Sequence, residues 1–302
     1  MTHLPKPPAR RPLHASGPEV SSIAWGMWRF SGDDVGAAEA RVQAALDAGV
    51  TLFDTADIYG PDNGEPFGAA EALLGRVFAA NPSLARRMVI ATKGGISMGV
   101  PYDSSRAYLT SAIDASLARM GVDHVALWQI HRPDMLTHPA EIGEALAAAH
   151  KAGKIGAVGV SNFTPWQVEA LAAHLPMPVV STQPEFSPLA IAPLRDGTLD
   201  QAVARGLTVL AWSPLGGGRL ANPTTDRARA VARTLDAKAE QAGVSRAAAA
   251  YSWIMAHPAR PIPIVGTQSP ARIAEIPDAF KPEWTRAEWY EVLVAAQGEP
   301  LP

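Results

Sequence analysis

Phe53-Asp54-Thr55-Ala56-Asp57-Ile58-Tyr59-Gly60 closes an apolar run that starts at Val50, and it turns polar at the point where a strand would stop. Parallel strands buried on both faces read this way, as short apolar runs that end abruptly in hydrogen-bonding groups. The profile recurs at Thr92-Lys93, Gln129-Ile130-His131-Arg132, Gly159-Val160-Ser161-Asn162-Phe163 and Ala211-Trp212-Ser213-Pro214-Leu215.

Working outward, strand-like and helix-like segments alternate along the chain. Strands are predicted over 23–26, 50–54, 88–93, 125–131, 155–160, 179–183, 208–212 and 262–265. Helices are predicted over 37–48, 69–80, 106–120, 140–152, 165–174, 199–205 and 231–242, with Gly49 and Gly153 as stops and Thr164-Pro165 as a start. Eight such units in 302 residues predict an α/β fold, a closed (β/α)8 TIM barrel, rather than an open doubly wound sheet. The absence of a Gly-x-Gly-x-x-Gly after the first strand points the same way. Residues 1–302 read as one barrel domain with a Pro-rich leader over 1–18 and a C-terminal helical extension.

A net charge of −3 argues against nucleic acid or an anionic membrane as the main partner. No run of apolar residues is long enough to span a bilayer, and Met1-Thr2-His3-Leu4-Pro5-Lys6 lacks the apolar core of a secretion signal. The chain has no cysteine, which removes disulfides, thiolate metal sites and a cysteine nucleophile together. The histidines show no metal-ligand spacing, so no metal is expected. A cytoplasmic protein, monomeric or a small homo-oligomer, is the expectation.

Asp54, Lys93 and His131 fall at carboxyl ends of predicted strands, the end that carries the active site in such barrels, and Tyr59 follows Asp54 in the next loop. A free tyrosine, with a pKa of about 10, is a poor acid at neutrality; a neighbouring lysine cation favours the phenolate and lowers that value. Asp54 can supply the counter-charge that keeps a buried lysine protonated. His131 can orient a carbonyl oxygen or relay a proton. Together they form a tuned general acid with an electrophilic contact for a developing alkoxide.

On these motifs the chain resembles an aldo-keto reductase, from Ile23 to about Arg286. The resemblance implies a tetrad in which Tyr59 donates the proton, Lys93 activates it, Asp54 partners Lys93, and His131 orients the substrate. Gln129-Ile130-His131-Arg132-Pro133-Asp134 and the stretch from Ala211 to Leu220 look closest to bacterial sugar- and aldehyde-reducing members.

Ser161, Asn162 and Gln183 are suited to grip a nicotinamide carboxamide, and the matching family positions do so. Trp212 ends the seventh predicted strand, where relatives usually place an aromatic against the nicotinamide ring. Within Ser213-Pro214-Leu215-Gly216-Gly217-Gly218-Arg219-Leu220, bare amides can approach a pyrophosphate, which marks Ser213, Leu215, Gly217 and Arg219 as cofactor contacts. Gly266, Thr267, Gln268, Arg272 and Glu275 make up the loop where NADPH-using relatives hold the 2′-phosphate. Two neutral residues, Gln268 and Ser269, stand where such relatives carry a cation, but Arg272 remains, so NADPH is favoured with NADH possible.

Trp28, Phe30 and Arg132 are the candidates for contact with substrate. Trp284 and Trp289 read more readily as packing than as pocket wall. The expected function is NAD(P)H-dependent reduction of an aldehyde or ketone, including a sugar carbonyl, to an alcohol. Two other readings are a cofactor-binding, redox-sensing accessory subunit with slow turnover, and a barrel aldolase that uses Lys93 as a Schiff-base nucleophile.

Overall fold

The computed structural model describes residues 3–302. An antiparallel hairpin, β1 (Arg10–Pro12) and β2 (Glu19–Ser21), precedes the barrel. The barrel strands are β3 (Ala24–Gly26), β4 (Leu52–Asp54), β5 (Val89–Gly94), β6 (Leu127–Ile130), β7 (Val158–Ser161), β8 (Val179–Gln183), β9 (Thr208–Ala211) and β10 (Ile262–Val265). Each pairs in parallel with the next, and β10 closes the ring against β3. The (β/α)8 expectation is met.

The outer layer is α1 (Val35–Asp47), α2 (Ala69–Ala80), α3 (Pro82–Ala85), α4 (Arg106–Met120), α5 (Pro139–Lys151), α6 (Pro165–Ala172), α7 (Thr198–Arg205), α8 (Asp226–Ala242), α9 (Arg246–Met255), α10 (Pro270–Ala274) and α11 (Arg286–Gln297). Most of their starts are set by side-chain caps. Asp34, Ser105, Thr164, Thr225, Ser245 and Thr285 each accept from a backbone N–H of the first turn, and Thr164 and Thr285 complete capping boxes. No helix among the described residues is long and apolar enough to cross a membrane.

Strand side chains pack two ways. One set packs against the helices. The other fills the barrel interior with Ala24, Leu52, Ala91, Leu127, Ala157, Val180, Leu210, Ile262 and Ile264, joined by Leu13 and Val20 of the hairpin. The segment expected as a Pro-rich leader over 1–18 contributes to this packing. From His3 on, the segment is ordered structure, and its hairpin closes the floor of the barrel; Met1 and Thr2 lie outside the described residues. Leu13 is fully buried, and Thr208 Oγ1 donates to its carbonyl at 2.6 Å. With the floor plugged, the open end is the one where the strands' carboxyl termini gather.

Three further differences have local causes. Helix α8 starts five residues earlier than expected because Thr225 caps it; its first turn, Asp226 to Ala230, buries only Ala228, which hides it from a hydrophobic pattern. Helix α9 was not expected, since Arg246–Met255 is apolar nearly all round and carries no amphipathic stripe. Phe30 is core rather than pocket, buried edge-on against Trp25 at 5.6 Å. Trp284 and Trp289 are packing residues, and Trp289 stacks on Trp253 at 4.7 Å.

Candidate active site

The ends of β4, β5 and β6 bring four of the expected residues together. Asp54 is the last residue of β4, and its register partner on β5 is Ala91, two residues before Lys93. Lys93 Nζ donates to Asp54 Oδ2 at 2.6 Å and to the Thr55 carbonyl at 2.8 Å. Both side chains of the pair are buried. Such a pair contributes little net stability, because desolvation offsets the attraction; what it provides is a cation held in one place.

The same ammonium lies 5.0 Å from the centroid of the Tyr59 ring. The His131 ring meets Tyr59 edge-on, with centroids 5.9 Å apart. His131 follows β6 directly and is fixed by its backbone N–H donating to the Gly94 carbonyl at 2.8 Å. Its buried Nδ1 has no hydrogen-bond partner among the described residues.

Electrostatics sort the three titratable groups. Burial pulls the Lys93 ammonium down, but Asp54 and Tyr59 together push it above the ordinary lysine range, so it stays charged. Burial, then the Lys93 and Arg132 cations, hold His131 well below its ordinary value, so the imidazole is neutral. For Tyr59 the expected lowering by Lys93 is present but does not prevail. Burial raises the phenol, Asp54 adds to that, and Lys93 pulls back only part of it. The free site therefore holds Tyr59 protonated, the form a proton donor needs.

On the far side, a second network joins the candidate cofactor residues. Gln183 Nε2 donates to Asp54 Oδ1 at 2.9 Å. Asn162 takes a left-handed φ of 59°. Its Nδ2 donates to Ser161 Oγ at 2.7 Å, and its Oδ1 accepts from Trp212 Nε1 at 2.9 Å. Ser161 Oγ donates to the Gln183 carbonyl at 3.0 Å. One half-buried aromatic face and three amide or hydroxyl groups are thus mutually braced, which suits a flat ring bearing a carboxamide.

After β9 the chain makes tight turns. Gly216, Gly217 and Gly218 all have positive φ, and nothing lies within 4 Å of where a Cβ would stand on Gly217 or Gly218. The Gly217 N–H makes no intramolecular bond among the described residues. An exposed backbone with a free N–H fits an approaching phosphate. Ser213 is a second strained position, at φ 50°, and Leu215 is half-buried beneath the turn. Arg219 donates from Nε to the Gly216 carbonyl at 2.6 Å and keeps a long 3.9 Å contact with Glu185.

The loop after β10 is less like its expectation. Gly266, Arg272 and Glu275 are exposed, and Trp25 Nε1 donates to the Thr267 carbonyl at 2.8 Å. Gln268 turns inward, its Nε2 donating to the Gly26 carbonyl at 3.3 Å, with Oε1 buried and unpartnered among the described residues.

Of the candidate substrate residues, the Arg132 guanidinium lies 5.7 Å from the Trp212 ring centroid and forms no salt bridge among the described residues. Trp28 is partly exposed, and its Nε1 donates to Asp62 Oδ2 at 2.9 Å. That bond carries the ring to the loop that bears Tyr59.

One buried carboxyl group here was missed as a functional candidate. Asp57 lies inside the Phe53–Gly60 stretch, yet its environment is assembled by α2 and α4, which no local pattern reveals.

The family model for the aldo/keto reductase family matches residues 22–293. A protein of Novosphingobium aromaticivorans named 6-dehydroglucose reductase is 57% identical over the whole of both chains. One of Agrobacterium fabrum with the same name is 37% identical over 94% of this chain and 96% of its own length. Among solved structures, the glycerol dehydrogenase of Gluconobacter oxydans superposes with a TM-score of 0.82 at 26% identity, covering 99% of this chain and 97% of that one.

Proposed function

The chain belongs to the aldo/keto reductase family and is an NAD(P)H-dependent carbonyl reductase, and we propose that Asp54, Tyr59, Lys93 and His131 reduce the aldehyde of a sugar at its barrel mouth. One observation carries the assignment: a buried Lys93 ammonium, fixed 2.6 Å from Asp54, lies 5.0 Å from the Tyr59 ring, which meets the His131 ring edge-on at 5.9 Å.

The nicotinamide cofactor supplies hydride when bound. Tyr59 gives its proton to the carbonyl oxygen as that oxygen becomes an alkoxide. The phenolate left behind lies beside the Lys93 ammonium, whose charge is worth more in the water-poor barrel than in solvent. Asp54 keeps Lys93 charged and in place. His131, being neutral, meets the oxygen as a hydrogen-bond donor and adds no second cation to compete for the Tyr59 proton.

Ser161, Asn162, Gln183 and Trp212 would hold the nicotinamide end, and the Ser213–Arg219 turn the pyrophosphate. Gly266, Thr267, Arg272 and Glu275 would meet the adenosine end. The exposed Arg272 supports NADPH, while the inward Gln268 keeps that preference modest. Arg132, a fork of donors without a carboxylate partner among the described residues, is suited to a sugar's hydroxyls. The two relatives named for 6-dehydroglucose support a hexose with its aldehyde at carbon 6.

The test is oxidation of NADPH and of NADH, each followed with 6-dehydroglucose and with an unsubstituted alkanal. Turnover that favours the sugar and yields glucose is expected. Equal rates with both aldehydes would remove the sugar assignment, and no oxidation of either cofactor would remove the reductase reading.

A further inference from the structure

Asp57 stands two residues before Tyr59, fully buried, and the chemistry above makes no use of it. Its backbone N–H donates to the Lys93 carbonyl at 2.9 Å, which fixes it against β5. Gly94 leaves room for its side chain, since a Cβ there would stand 3.0 Å from Asp57 Oδ2 and 2.7 Å from Trp128. Asp57 Oδ2 lies 3.1 Å from the Tyr108 hydroxyl, and Oδ1 has no hydrogen-bond partner among the described residues.

Every nearby cation is engaged elsewhere. Arg119 of α4 is committed to Glu71 of α2, at 2.8 Å through Nε and 2.7 Å through Nη2. The second oxygen of Glu71 accepts from Thr92 at 2.6 Å. Lys93 is committed to Asp54 and the Thr55 carbonyl. An ionised Asp57 would therefore lie out of water, with no cation of its own, near a second buried carboxylate. Burial and Glu71 push its carboxyl up to about 8, against weaker pulls from Tyr108, Arg119 and the Ile58 backbone.

Counting protons points the same way. Tyr108 has one hydroxyl proton, which burial and Asp57 hold firmly in place. Its oxygen lies 2.8 Å from the Ile96 carbonyl, which can only accept. With Asp57 ionised, that proton serves Asp57 or Ile96 but not both. A protonated Asp57 satisfies both contacts: it donates to Tyr108, and Tyr108 donates to Ile96.

Ile96 opens the excursion between β5 and α4, which leaves the barrel just beyond Lys93. Gly95 turns it at φ 116°, Ile96 bridges to Tyr102, and Ser104 is tied by its N–H to Asp134 of the next loop at 2.9 Å. Its tip, at Met98 and Val100, is exposed.

We infer that Asp57 is kept as a carboxylic acid and acts through Tyr108 as a positioning residue, holding the 95–103 loop beside the barrel mouth for substrate binding. Ionising Asp57 withdraws the proton that Ile96 needs, and the loop loosens. The kinetic arm of the test rests on the reductase reading; the exchange arm does not.

Wild type, Asp57→Asn and Tyr108→Phe are compared with NADPH and D,L-glyceraldehyde as the probe aldehyde, from about pH 6 to about pH 9.5. The wild-type KM should rise about tenfold above about pH 8 while kcat holds. Asp57→Asn, whose amide donates at every pH, should keep the neutral KM and lose the rise. Tyr108→Phe should show the raised KM throughout. An alkaline rise that survives in Asp57→Asn, or one carried by kcat, overturns the inference.

Hydrogen exchange supplies the second arm. Protection of residues 95–103, corrected for intrinsic rate, should fall with pH in wild type and stay level in Asp57→Asn. Equal profiles overturn the inference. A dead glyceraldehyde assay with the expected exchange result would mean that the site refuses this small aldehyde, and would still support this inference.

Discussion

Tyr59→Phe removes one oxygen and leaves the ring that Lys93 and His131 face. It should lower kcat by about 10²–10⁴-fold, the usual worth of a positioned general acid, with the cofactor dissociation constant unchanged in a fluorescence titration. Lys93→Met removes the cation instead and strands Asp54, buried with only neutral partners in Gln183 and Gln129. Losing one member of a buried pair costs about 3–5 kcal/mol, so denaturant unfolding should show a loss of that order. Adding Asp54→Asn should recover part of the stability and none of the turnover, which separates the pair's cost from its use. In the loop after β10, proposed to meet the adenosine end, Gln268→Arg cannot keep the inward bond to Gly26, because arginine offers a cation too costly to bury there. Turned outward, it would add one charge-assisted bond to a 2′-phosphate. The ratio of NADPH to NADH affinity should rise about tenfold or more; an unchanged ratio would place the phosphate elsewhere.

Among the elements, the N-terminal hairpin differs most from its reading. Proline-rich composition suggested a leader, yet Leu13 and Val20 complete the barrel floor. Leu13→Ala should cost about 2–5 kcal/mol by cavity formation while KM stays unchanged, because the floor lies at the opposite end from Lys93. Thermal unfolding alongside steady-state kinetics checks both halves of that claim. The strands themselves were legible because burial on both faces makes each one a short apolar run, and the four residues proposed as the tetrad stood out because they lie at, or in the loop just beyond, the places where those runs end. Helix α9 was not, because Arg246–Met255 lies between other elements and carries no polar face to set a period. The inward turn of Gln268 was equally hidden. Its partner, the Gly26 carbonyl, is 242 positions away in sequence and becomes a neighbour only when β10 closes on β3.

Over the whole molecule, Asp57 and His131 act on stability in opposite directions as pH changes. His131 is neutral when folded, so the unfolded chain takes up a proton below about 6.5 that the folded one refuses, and stability falls as pH drops. Asp57 is the reverse. Its folded carboxyl titrates at about 8 and its unfolded one near 3.8, so its contribution is complete below the lower value and is lost as pH rises to the upper one. Between about pH 3.8 and about 6.5 the two slopes oppose each other; between there and about 8, of the two, only Asp57 acts, and its contribution declines. Asp57→Asn removes that slope. Its stability advantage over wild type should grow from nearly nothing at about pH 4 to several kcal/mol at about pH 8 and then level off. Denaturant unfolding of both proteins across that range measures it. An advantage independent of pH would mean that Asp57 is ionised in the folded state, and the proton that joins it to Tyr108 would then be absent.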